Sequence, residues 1–160
     1  LLDMPGSGPT SLADSRVRAV LLLSGQGRGQ MGLTQKSWEK FSLPMLNVTG
    51  SLDRGAGGQD PAWRKDPFDL SPPGDKYHLF IEGAHHGSFT GRFAREGARR
   101  PGLRDRRRSG ADGKEIFEWV EVATLAFWDA YLKGEPGAKA YLRTDDLERR
   151  SRGAATLDRR

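Results

Sequence analysis

The chain contains no cysteine, which excludes disulfides, thiolate-bound zinc and a thiol nucleophile together. It has no run approaching the ~18 consecutive apolar residues of a membrane-crossing helix. Its start shows no charged, apolar and small-residue succession of a secretory signal. It also lacks any serine in a Gly-x-Ser-x-Gly setting. Ser7 is flanked at that spacing by Pro5 and Pro9, Ser24 by Leu22 and Gln26, and Ser88 by His86 and Thr90.

What is present fits one globular domain: 160 residues, 36% hydrophobic, are enough to bury a core. The net charge of +5 is concentrated. Arg92 to Arg108 holds eight arginines against Glu96 and Asp105, for +6, and the remainder sums to −1. Such a cluster can neutralise phosphates. The segment has one aromatic, interior glycines, a proline and no helical period, and 92–113 is expected to be a flexible, solvated loop rather than a nucleic-acid site.

Three short apolar runs read as strands. "RVRAVLLLSG" from Arg16 is continuously apolar over Ala19 to Leu23, as in a strand covered on both faces. "LPMLNVTG" (Leu43 to Gly50) enters at Pro44, and "KYHLFIEG" ends at Gly83. Between them, Thr34 to Lys40 suits a short polar helix anchored by Trp38. The Gly- and Pro-rich stretch from Asp53 to Asp75 has room only for a short helix near Pro61 to Leu70. In "KEIFEWVEVATLAFWDAYLK", Ile116, Val120, Ala123, Phe127 and Tyr131 recur at steps of three and four, predicting an amphipathic helix over 114–133 stopped by Gly134. Pro136 can start another turn through Leu142. Residues 143–160, rich in charge and poor in apolar side chains, are expected to form a frayed, polar tail.

Strands separated by long crossovers, with one long helix to cover a face, predict an α/β layer of about three parallel strands. In such sheets ligands meet the loops at the carboxyl ends of strands. Two chemical groups fall there. Asp53 follows the second strand, and His85 and His86 follow the third. Neighbouring strands lie about 4.8 Å apart, so these loops can bring a carboxylate and an imidazole into hydrogen-bond reach. An aspartate accepting from one ring nitrogen leaves the other free as a general base. Asp after a strand is equally a common turn residue, and either histidine can serve as the base. His78, inside the third strand, is expected to be structural. Adjacent histidines rarely point the same way, so no metal site is expected. Trp63, Phe68 and Phe89 suit either a substrate pocket or the pinning of a long loop.

"LPMLNVTGSLD", "GDKYHLFIEGAHHGSF" and "ATLAFWDAYLKGEPGAKAYL" together resemble the C-terminal half of an α/β-hydrolase, most closely the dienelactone-hydrolase-like and platelet-activating-factor-acetylhydrolase-like esterases. The resemblance spans about Arg16 to Leu142, within an expected domain portion of 1–142. It implies Asp53 in "GSLD" as the triad acid and His86 in "GAHH" as the base, with Trp63 and Phe89 at the substrate. It implies no cofactor, and a small-molecule or lipid-like ester as substrate. The family's order of serine, acid, histidine places the nucleophile upstream. The chain is therefore expected to be a C-terminal fragment, or a truncated or remodelled relative, of a serine ester hydrolase whose nucleophile would precede Leu1, and to be inactive alone. It is expected to be soluble, with its compartment open, and to self-associate through the exposed strand near Leu21 to Leu23. The competing expectation is a non-catalytic α/β module that binds an acidic partner or nucleic acid through Arg92 to Arg108.

Overall fold

The computed structural model describes the backbone of residues 2–4, 8–10, 13–91 and 112–160, and side chains over the last two ranges. The Arg92 to Arg108 cluster, and with it the phosphate-binding alternative and residues 92–111 of the expected loop, lies outside the described residues, while Asp112 and Gly113, placed in that loop by the sequence, instead cap and start a helix. A short antiparallel pair, β1 (Leu2–Met4) and β2 (Gly8–Thr10), stands apart from the main sheet.

Among the described residues the main sheet has four strands: β3 (Val20–Leu23), β4 (Met45–Gly50), β5 (Lys76–Ile81) and β6 (Ala155–Arg159), in that spatial order. The first three are parallel, with Leu22 opposite Asn47 and Asn47 opposite His78. β6 runs antiparallel to β5, with Leu157 opposite Leu79. The fold is thus α/β with a mixed sheet rather than a purely parallel one.

The expectation of a frayed tail fails at β6 and at the short helix before it, α4 (Asp146–Arg150). The tail is ordered because its few apolar residues are well placed. Ala155 and Leu157 alternate inward and Leu147 is buried, while Thr156 and Asp158 take the other face.

The long helix α2 (Gly113–Trp128) begins at Asp112, whose carboxylate accepts from the backbone N–H groups of Lys114 and Glu115, and Glu115 completes a capping box. It passes into a turn of π-helix, Asp129–Lys133, and ends at Gly134, whose φ of 77° is a left-handed cap. Ile116, Val120, Ala123 and Phe127 are buried as their spacing predicts. They pack with Leu46, Val48, Tyr77, Leu79, Ile81, Ala155 and Leu157 into one core. Tyr131 sits at its margin, its hydroxyl 2.8 Å from that of Tyr77. The next helix, α3 (Pro136–Tyr141), starts at proline as expected.

The other face of the sheet carries Asn47, Thr49 and His78, alternating with the core positions. Part of it is covered by the excursion between β4 and β5, where a helical turn at Pro61–Lys65 leads into α1 (Asp66–Leu70). Asp60 caps that turn by accepting from Ala62 N–H. Trp38, after the helical turn Gln35–Ser37, is buried as anticipated. No helix among the described residues is long and apolar enough to cross a membrane.

Candidate active site

The loops leaving β4 and β5 are knitted together before any side chain of interest is reached. Ser51 N–H donates to Ile81 C=O and Leu52 N–H to Ala84 C=O. Ser51 Oγ accepts from Gly83 N–H at 2.8 Å and donates to Glu82 Oε1 at 2.9 Å. Gly50 makes the approach possible, because a Cβ there would stand 2.4 Å from the carbonyl oxygen of Ala84. Asp53 follows in a turn closed by its own N–H to Gly50 C=O at 3.0 Å.

Asp53 is completely buried. Its Oδ2 accepts from Thr49 Oγ1 at 3.1 Å, and its Oδ1 lies 3.3 Å from Nδ1 of His86. The two histidines, equivalent by sequence position, are separated by geometry. His85 turns its Nδ1 back to accept from Gly87 N–H, capping the helical turn His86–Thr90. His86 faces the buried carboxylate while its side chain keeps 68% exposure. A buried acid therefore orients a ring that solvent or a substrate can reach.

A third residue, not anticipated from the sequence, completes the cluster. Arg64 is buried, and its Nε lies 3.0 Å from Asp53 Oδ1 and donates to Asp53 C=O at 2.8 Å. Nη1 donates to the carbonyls of Ser24 (2.7 Å) and Gly25 (3.1 Å), and Nη2 to that of Arg54 (3.0 Å). Nη2 is also 3.5 Å from His86 Nδ1. Arg64 thus ties the carboxyl ends of β3 and β4 together beneath the His86 loop. Its backbone is held in turn by Asn47, whose Nδ2 donates to Arg64 C=O at 2.8 Å and lies 3.1 Å from His78 Nδ1.

His78 is buried against the Phe68 ring, in the structural position expected of it. Burial, with Lys65 nearby, lowers its pKa from 6.5 to about 4, so the ring is neutral at pH 7 and its Nδ1 accepts from Asn47. An open cavity of about 320 Å³ lies on this face, lined by Thr49, Lys65, His78, Phe80 and Asp158 among others.

The two aromatics nominated for substrate contact fall in different places. Phe89 is buried within the core cluster. Trp63 is half-buried and its Nε1 donates to Arg28 C=O at 2.8 Å, while Gly27 packs so closely that a Cβ would meet the indole at 2.6 Å. These contacts pin the loop after β3 to the excursion. Among the described residues, no group of three or more His, Asp or Glu side chains is placed to hold a metal ion.

The chain was compared with protein-family models, curated proteins and solved structures. It matches none of them. The functional reading therefore rests on the residues themselves.

Proposed function

We propose that Asp53 and His86 are the acid and base of a serine ester hydrolase of α/β-hydrolase type. The observation that carries this reading is the buried carboxylate oxygen 3.3 Å from Nδ1 of an exposed imidazole, at the carboxyl ends of adjacent parallel strands. Asp53 holds the Nδ1–H tautomer and stabilises the imidazolium. Nε2 of His86 takes the proton of a serine hydroxyl as its oxygen attacks the ester carbonyl carbon. The tetrahedral intermediate collapses, and the departing alcohol takes that proton back from His86. Water, deprotonated by the same nitrogen, then attacks the acyl carbon; the bond to the serine oxygen breaks, that oxygen takes the proton from Nε2, and the acid is released.

The serine is the missing member, since the chain has none in a Gly-x-Ser-x-Gly turn. In this reading the nucleophile comes from outside these 160 residues. The test is to express the chain together with its upstream coding sequence, label with a fluorophosphonate, and assay a nitrophenyl ester. Labelling is expected at an upstream Gly-x-Ser-x-Gly serine, with His86→Ala lowering turnover by ~10³-fold or more. The 160-residue chain alone should stay unlabelled. An upstream sequence without that motif would remove the hydrolase reading. Labelling at Ser24, which is buried at the end of β3 with φ of 56°, would place the nucleophile inside this chain instead.

A further inference from the structure

Nδ1 of His86 faces two groups that demand opposite tautomers. Asp53 Oδ1, at 3.3 Å, accepts and so requires a proton on Nδ1; Arg64 Nη2, at 3.5 Å, donates and so requires a lone pair there. Only the first demand leaves Nε2 unprotonated and able to act as a base. The outcome depends on where the guanidinium is held. Of its two Nη2–H groups, one donates to Arg54 C=O at 3.0 Å and the other meets the ring only at 3.5 Å, a longer and weaker contact than the 3.3 Å between the ring and Asp53. Its Nη1 is committed to Ser24 and Gly25 carbonyls, and its Nε to Asp53. Four carbonyls on two loops therefore fix the plane of the guanidinium, and its ion pair with Asp53 Oδ1, 3.0 Å from Nε, holds the carboxylate that reaches the ring.

We propose that Arg64 is a positioning residue which, by this fixation, secures Asp53 Oδ1 as the acceptor for His86 Nδ1–H and keeps Nε2 as the free nitrogen. This rests on Asp53 and His86 being the acid–base pair, and it adds the residue that decides which ring nitrogen is the base. Lysine cannot replace it, because one ammonium has neither the planar fork nor the five donors that reach two loops at once.

The tautomer is directly measurable by long-range ¹H–¹⁵N correlation of the ring nitrogens in the 160-residue chain, above the pH at which the imidazole is charged. His86→Gln assigns the signal among the three histidines. In the wild type, Nδ1–H is expected to exceed Nε2–H by about tenfold or more, the bias a hydrogen bond to a charged group supplies. Arg64→Lys and Arg64→Gln, confirmed as folded by amide dispersion, should each reduce that ratio several-fold. A wild-type ring protonated mainly on Nε2 overturns the proposal without any variant. An unchanged ratio in either folded variant also overturns it. Asp53→Asn separates the two levels: if it shifts the tautomer while the Arg64 variants do not, the acid–base pair stands and only the role of Arg64 falls. If folded Asp53→Asn leaves the ring unchanged, the pairing of Asp53 with His86 falls too.

Discussion

Arg64 and Asp53 form an ion pair whose side chains are 2% and 0% exposed, so the energetics are governed by desolvation rather than by the attraction alone. Removing one partner strands the other charge away from water. Arg64→Met should therefore destabilise the fold by about 3–5 kcal/mol in chemical denaturation. Adding Asp53→Asn to that background should recover part of the loss, because the stranded carboxylate is gone. Strict additivity of the two substitutions would show that the pair is not coupled. His78 gives a second prediction at this scale. Its pKa is about 4 when folded and 6.5 as the ordinary value, so between those limits the unfolded chain binds more protons. Stability is then complete above pH 6.5 and is lost as the pH falls toward 4. The loss attributable to His78 between about pH 7 and about pH 5 is roughly 2 kcal/mol. It should be absent in a folded His78→Gln variant, measured by urea unfolding at the two pH values. Asp53 and the His85–His86 pair were legible in the sequence because each sits in a small-residue turn after an apolar run, whereas the choice of His86 over His85 came from the family resemblance alone. Arg64 was not legible as a site residue, since an arginine in a Gly- and Pro-rich excursion reads as surface. A local signal does exist: Pro61, Arg64 and Phe68, spaced three and four apart, are all buried, placing the arginine on the apolar side of its helical turn.

At the scale of elements, the site depends on how closely two strand ends approach, and Gly50 sets that distance. A methyl group there would overlap the backbone oxygen of Ala84, and backbone cannot rotate out of the way as a side chain can. Gly50→Ala should destabilise by about 1–3 kcal/mol, the usual cost of overpacking. It should also weaken the His86–Asp53 contact, seen as a change in the ring tautomer ratio; a neutral effect on both would show that the loops separate freely. The helix α2 was readable from its periodicity and cap, because a long amphipathic pattern repeats its evidence over four turns. β6 was not, since a five-residue strand with Ala155 and Leu157 as its inward pair gives almost no statistical contrast to a charged tail. Its contribution comes from tertiary pairing with β5, which local composition does not encode. Leu157→Ala, at a nearly buried position in the core cluster, should cost about 2–4 kcal/mol in thermal or chemical unfolding. A tail that was merely adherent would lose less than ~0.5 kcal/mol, the range of surface substitutions.

For the whole molecule, the sheet is unequal at its two sides. β6 closes one side with an antiparallel strand that covers the edge of β5, whereas β3 has only β4 as a neighbour among the described residues. Val20 N–H donates to the carbonyl of Pro44, just before β4, and Ser24 N–H to that of Val48 within β4. Because alternate residues of a parallel strand bond to the same neighbour, Leu21 and Leu23 turn their backbone groups outward. Leu23 is 43% exposed and Val17 44%, although the run from Ala19 to Leu23 is as apolar as the buried centre of β4. Backbone groups with no partner among the described residues, beside the exposed Leu23, are a template for another strand. The 160-residue chain should therefore associate as concentration rises, visible as an increasing weight-average mass in sedimentation. Leu23→Lys places a charge on the edge at a position already largely open to solvent, so it should suppress association while leaving the unfolding midpoint nearly unchanged. If the wild type remains monomeric across the accessible concentrations, the exposed edge is protected by something other than strand pairing. If Leu23→Lys associates as strongly as the wild type, the contact lies elsewhere on the molecule. The edge also bears on the Asp53–His86 cluster, since Ser24 and Gly25, whose carbonyls hold Arg64, directly follow β3. A strand added at β3 would stiffen the segment that positions the guanidinium, so association and the His86 tautomer ratio should change together across a concentration series.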